Sequence, residues 1–254
     1  MRRLIIVLAL LFAALLGSGG PALADDKALS DLATDYQSYA MGQDPIAAGK
    51  AGDLKAKAKL PDVSPGADVL RKSFLEEFRD RHKAIDPAGL SPEGKASREA
   101  LGQALDRRLK SLGADEARLA FGATSGFDLT MGALAAATRL ETEADANAWI
   151  LRLKALPRYY ALNIENARRG IKTGLVRSPA TVEAVLVRTK AAAAAPVETD
   201  PLLKPFEGSA APSSMPAEAA SAIRELVRPA QRDFAAFLET EYLPASRKAP
   251  KPVG

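Results

Sequence analysis

The chain has 254 residues, of which 47% are hydrophobic and 26% charged, an ordinary globular composition with enough length for a core. Its 35 basic and 31 acidic residues leave a scattered charge of +4, which argues against a nucleic-acid reader with its dense basic stripe. The absence of cysteine excludes a disulfide framework, a thiol nucleophile, a Cys zinc site and a lipobox.

Residues 1–24 read as a secretory signal peptide. Arg2 and Arg3 precede an apolar run from Leu4 to Leu16, Gly17 to Pro21 break it, and Ala22-Leu23-Ala24 is a small-x-small cleavage site between Ala24 and Asp25. The run is short for a membrane span. The expected location is therefore periplasmic or secreted, with no membrane partner after cleavage.

Beyond the leader, helix signals repeat and strand signals are scarce. Leu29, Leu32, Tyr36 and Tyr39 recur at helical spacing. Ser64-Pro65 supplies an N-cap and a first-turn proline, followed by the stripe Leu70, Phe74, Phe78, Ile85. Asp86-Pro87 breaks that helix, and Ser91-Pro92 starts the next, with Leu101, Leu105, Leu109 and Leu112 ended by Gly113. Residues 120–140 read as a buried loop and a short helix. Thr142 caps a long helix whose stripe runs Trp149, Leu153, Leu156, Tyr160, Ile164, Ala167, Ile171; Pro157 should kink or divide it, and Gly174 ends it. Ser178-Pro179 caps a helix to about Thr189. Residues 190–217, rich in Ala, Pro and Ser, read as a long surface loop. A last helix is expected from about Ala217 to Leu243, kinked at Pro229 and closed by Pro244, with a basic tail at 248–254. The fold expectation is all-α, a bundle of long, partly Pro-kinked helices.

Chemistry is hard to find. His82 is the only histidine and stands beside Arg79, Arg81 and Lys83, a poor setting for a cation; it reads as a helix-edge residue without a metal role. Ser125, in Gly122-Ala123-Thr124-Ser125-Gly126, is one place late for a nucleophile elbow and lacks a preceding strand. The carboxylate pairs Glu76-Glu77, Glu141 with Glu143, and Glu239 with Glu241 read as solvated faces. Arg152, Lys154, Arg168 and Arg169 read as exposed helix charges, with a cleft lining as the other use. Trp149 reads as core. No catalytic, metal or cofactor-binding residue is assigned.

Two stretches carry a family resemblance. In 148–179, Arg152, Leu153, Leu156 and Pro157 form R-L-x-x-L-P, and Gly170, Ile171, Gly174 and Pro179 form G-I-x-x-G followed by proline. In 227–247, Pro229, Ala230, Phe237, Leu238, Glu241, Tyr242, Leu243, Pro244 and Arg247 fit P-A-x6-F-L-x-x-E-Y-L-P-x-x-R. Weaker matches begin at Ala84 and in "DLATDYQSYAMGQDP". Together they resemble the bacterial family called domain of unknown function 885, over residues 25–247. The resemblance implies an exported helical fold like the N-terminal half of a larger zinc metallopeptidase-like protein. Longer members carry a His-Glu-x-x-x-Gly-His helix and a Glu-Gly-Trp helix in a second half; neither is present in this sequence. Zinc is expected only with such a half, and this chain is expected to be inactive alone. The motif residues Arg152, Pro157, Gly170, Gly174, Pro179, Pro229, Tyr242, Pro244 and Arg247 have no assigned role. The partners implied are a C-terminal half of the same family or a peptide substrate. The alternative is a stand-alone periplasmic helical binding or interaction protein.

Overall fold

A computed structural model describes residues 24–250 and 253. The leader expected at 1–24 lies, apart from Ala24, outside the described residues. Almost everything else is helix. Isolated bridges join Phe121 to Gly126 and Arg177 to Val253, and there is no sheet among the described residues. The all-α expectation holds.

The first packing group is formed by α1 (Ala24–Gln43), α4 (Pro65–Ala84) and α5 (Pro92–Ala114) around Leu29, Leu32, Leu75, Phe78, Ile85, Leu101 and Leu105. The short helices α2 (Pro45–Lys50) and α3 (Leu54–Lys57) follow α1. Ser-Pro starts work as the sequence implies: Ser64 Oγ accepts from the Ala67 amide at 3.2 Å, and Ser91 Oγ from the Gly94 amide at 3.0 Å. The expected stripe on α4 is wrong in part. Leu70 and Phe74 are 62% and 47% exposed, and the inward line is Leu75, Phe78, His82. The two lines share Phe78, and Ile85 is buried as expected; they part only earlier in the helix, where Leu75 takes the inward place and Phe74 instead rests on the Tyr39 ring, centroids 5.4 Å apart. Gly113 does not end α5 either. Asp115 does, in the left-handed region at φ 49°, a conformation a short acidic side chain tolerates.

The second group is larger. It holds α6 (Phe127–Ala137), α7 (Glu143–Thr173), α8 (Pro179–Ala194), α9 (Ser214–Ala222), α10 (Arg228–Phe237) and α11 (Leu243–Lys248). α7 is the axis, packing against α3, α9 and α10. A capping box starts it: Thr142 Oγ1 accepts from the Asp145 amide at 3.1 Å, and Asp145 accepts from the Thr142 amide at 3.1 Å. The 31-residue helix runs through Pro157 undivided. The proline removes one ladder hydrogen bond, and the buried neighbours Leu153, Leu156 and Tyr160 hold the helix together across it. Gly174, at φ 73°, ends α7 in the left-handed cap that glycine favours.

Two further expectations fail. α8 extends to Ala194, because the alanine run is a strong helix former. The supposed surface loop then contains 3₁₀ turns at Val197–Thr199 and Pro201–Phe206, and buries Val197, Asp200, Leu202 and Phe206. Its anchors are not apolar alone. Trp149 Nε1 donates to Leu202 O at 3.0 Å, and Arg228 pairs with Asp200 at 2.8 Å.

The last helix is continuous from 214 to 248, so Pro244 does not close it. π-turns at Ile223–Val227 and Leu238–Tyr242 precede Pro229 and Pro244 by the same interval. In each, the residue before the proline donates five residues back: Arg228 to Ile223, Leu243 to Leu238. The widened turn gives the proline ring room against the preceding turn, where a uniform α-helix would clash. An aromatic cluster of Phe121, Phe127, Tyr160, Phe234, Phe237 and Tyr242, in mostly edge-to-face contacts, closes this core.

Candidate functional site

Asp44 and Asp53 begin the short helices. Asp44 Oδ1 accepts from the Ile46 and Ala47 amides at 3.1 and 2.9 Å, and Asp53 Oδ1 from the Ala56 amide at 3.0 Å. α2 and α3 fold tightly against each other at Gly49, where a Cβ would stand 3.2 Å from the Lys57 side chain. The strap from α3 onward is then tied across α7. Arg152 donates from Nε to Lys59 O and from Nη2 to Ala56 O, both at 2.9 Å. Lys57 pairs with Asp145 at 2.7 Å, and Asn166 Nδ2 donates to Val63 O at 2.7 Å.

Between this strap, α6 and α7 lies a pocket of about 230 Å³. Its lining is mixed: the apolar residues Ile46, Leu134, Leu140 and Trp149 stand among Lys50, Lys57, Arg139, Arg152 and one acid, Asp145. The acid is already committed. The Lys57 ammonium, then the Thr142 hydroxyl and amide, hold its carboxyl below the usual carboxylate range, against the opposing effect of burial. Arg152 is the unusual member. It is 4% exposed, and no acidic side chain pairs with it among the described residues. Burial alone pulls its guanidinium down to about 10.

Arg152 therefore corrects the expectation of an exposed charge. The signal is present in the sequence, since 149, 152, 153, 156 and 160 follow helical i, i+3, i+4 spacing on the buried face. The remaining motif residues are dispersed. Gly170 admits a close approach, since a Cβ would stand 2.7 Å from Leu175 O and 2.9 Å from Arg118 O. Pro179 opens α8, and Tyr242, fully buried, accepts from the Arg177 amide at 2.9 Å. Arg247 pairs with Glu183 at 2.8 Å on the surface. Pro157, Gly174, Pro229 and Pro244 shape helices as described above. The structure does not bring these residues to one site.

The other candidates separate as well. His82 stands in the last turn of α4. It is buried between α4 and α5, donates from Nε2 to Arg98 O at 2.8 Å, and faces Gly102, whose missing Cβ would stand 2.9 Å from the ring. Ser125 is exposed in a loop whose carbonyls are held by Arg188 at Gly122 and Ala123. Arg168 grips Glu241 through Nε at 2.8 Å and Nη2 at 2.6 Å and lies over the Phe237 ring at 5.2 Å. Glu239 pairs with Lys190 and Lys154 with Glu218, all in solvent. No group of three His, Cys, Asp or Glu converges among the described residues.

A family model described as bacterial protein of unknown function (DUF885) matches residues 45–254. No curated protein matches the chain.

Proposed function

The chain belongs to the DUF885 family of bacterial proteins, and from that premise we propose that it is an exported binding module: the non-catalytic half of a peptidase-like protein, inactive by itself. The observation that carries this reading is the fate of His82. The one imidazole is spent on Arg98 O inside a helix interface, with Gly102 against its ring. The residues present do not fit a catalytic zinc, which needs several convergent nitrogen or carboxylate donors and an open position. Zinc chemistry would belong to a second half carrying the His-Glu-x-x-x-Gly-His helix, with this protein supplying part of the wall that receives a peptide. Export rests on the leader residues.

The purified protein is expected to take up no stoichiometric zinc and to leave peptides intact. Chelator-sensitive zinc, with peptidase activity that persists in His82→Ala, would overturn the proposal. Sequencing of the exported protein should begin at Asp25; a start at Met1 would remove the export reading. The stand-alone interaction protein is favoured by the filled aromatic core of the second group. A sharp cooperative melt without dye-binding apolar surface would select it over an orphaned half.

A further inference from the structure

We propose that the pocket between α2, α3, α6 and α7 binds a carboxylate carried on a small apolar group. The inference stands whether or not the protein works beside a zinc-bearing half.

Three observations converge. The first is the buried guanidinium of Arg152. Taking a cation out of water costs several kcal/mol unless an opposite charge and hydrogen bonds compensate it. Arg152 has two backbone carbonyls, Ala56 O and Lys59 O, and no carboxylate. Among the described residues its Nη1 has no acceptor, and the side chain lines the pocket. A carboxylate is the ligand whose geometry a guanidinium fork fits best.

The second is the charge balance of the wall. Asp145 is neutralised by Lys57 at 2.7 Å and accepts from Thr142 Oγ1 at 2.8 Å. That leaves Lys50, Arg139 and Arg152 facing one small cavity with no acidic partner among the described residues. Cations that merely solubilised the surface would not need to share a concave site. Tying α3 to α7 accounts for the two carbonyl contacts of Arg152, but not for Lys50 and Arg139 on the same cavity.

The third is the apolar part of the lining. Leu134, Leu140 and Trp149 offer nothing to an inorganic anion and favour an aliphatic group attached to the charge. The volume of about 230 Å³ suits a ligand of amino-acid size, below drug-sized pockets of roughly 300–1,000 Å³. Inorganic phosphate would use only half of the site. A free aliphatic acid and the C-terminus of a peptide ending in an aliphatic residue present the same chemistry.

Trp149 is the only tryptophan and lines the pocket, so its emission reports occupancy directly. The purified protein is titrated with N-acetyl-leucine, with N-acetyl-leucinamide, with 4-methylpentanoate and with inorganic phosphate. The expected result is a saturable change in Trp149 emission with both carboxylates and none with the amide, together with a raised melting temperature. Tighter binding of N-acetyl-leucine identifies a peptide C-terminus as the source, and equal binding a free acid. Because Arg152→Gln removes the tie to α3 and risks unfolding, the decisive variant is Lys50→Gln with Arg139→Gln, both exposed. It should weaken N-acetyl-leucine by at least about fivefold and flatten the salt dependence. Equal binding of the amide, equal or tighter binding of phosphate, unchanged affinity in the double variant, or no response up to about 10 mM ligand would each overturn the proposal.

Discussion

Replacing Arg228 by methionine tests how firmly the segment after α8 is built into the fold. Arg228 and Asp200 are 4% and 6% exposed and meet at 2.8 Å. Arg228 also donates to Ala195 O at 3.0 Å and to Gln231 Oε1 at 2.9 Å, while Asp200 accepts from the Leu202 amide at 2.8 Å. Methionine fills the volume but leaves the Asp200 carboxylate buried without its counter-charge. Breaking a buried pair in this way costs about 3–5 kcal/mol. For a domain of this size each kcal/mol lowers Tm by roughly 2–4 °C, so a fall of about 6–20 °C is expected. The companion Arg228→Met with Asp200→Asn removes the stranded charge and keeps an acceptor for Leu202. It should recover at least half of the loss. Urea and thermal unfolding followed by far-ultraviolet circular dichroism measure both. A single variant within about 1 kcal/mol of wild type would show that the pair is solvated. The tie between 195–206 and α10 would then be wrong.

Other outcomes follow from the same geometry. Gly170→Ala should destabilise despite alanine's helix propensity, because the new Cβ meets two carbonyl oxygens, whereas Gly132→Ala in α6, with open space around it, should stabilise by about 0.5–1 kcal/mol. Parallel denaturant curves for the two separate steric from entropic effects. Asp145 has a folded-state pKa below its unfolded value, so its contribution is present above the unfolded carboxylate pKa and is lost as pH falls through the depressed one. Asp145→Asn should therefore be less stable than wild type at pH 7, with the gap closing below about pH 4 in acid unfolding curves. Tyr242→Phe strips the acceptor from the Arg177 amide and should cost about 1–2 kcal/mol in urea unfolding, with little change in the spectrum.

The helix starts are legible in the sequence because Ser-Pro and Thr-x-x-Asp pairs are local devices: Ser64, Ser91, Thr142 and Ser178 each cap as their neighbours dictate. The long stripe from Trp149 to Ala167 is legible for the same reason, since one period governs it. What fails depends on tertiary contacts. Nothing local says that Leu202 will receive the Trp149 N–H, or that Asp200 will meet Arg228, so 195–206 reads as a loop. Prolines read as breaks because the compensating π-turns are not a composition signal. The pocket is hidden because Lys50, Lys57, Arg139 and Arg152 are remote in sequence. Only Arg152 betrays itself, by standing in an apolar stripe.

The π-turns also have a rotational consequence. Each amounts to one residue inserted into an α-helix, and one residue is about 100° of azimuth. Arg228 and Leu243, Val227 and Tyr242, and Gln231 and Ser246 lie fifteen residues apart, and all six are buried. Fifteen residues of uniform helix would end about 60° past the starting direction, and one inserted residue changes that to about 40° short of it. Both sets thus fall on one inward stripe, although the ladder between them is irregular. Removing a single residue from 238–242 would leave composition and hydrophobicity almost untouched. The turn would revert to ordinary α geometry, and because fourteen residues of uniform helix also end about 40° short, Leu243 and Ser246 would keep their inward direction while Pro244 lost its widened turn. The widened turns therefore absorb a change of one residue in length without moving the inward stripe, and what they protect is the fit of the two prolines.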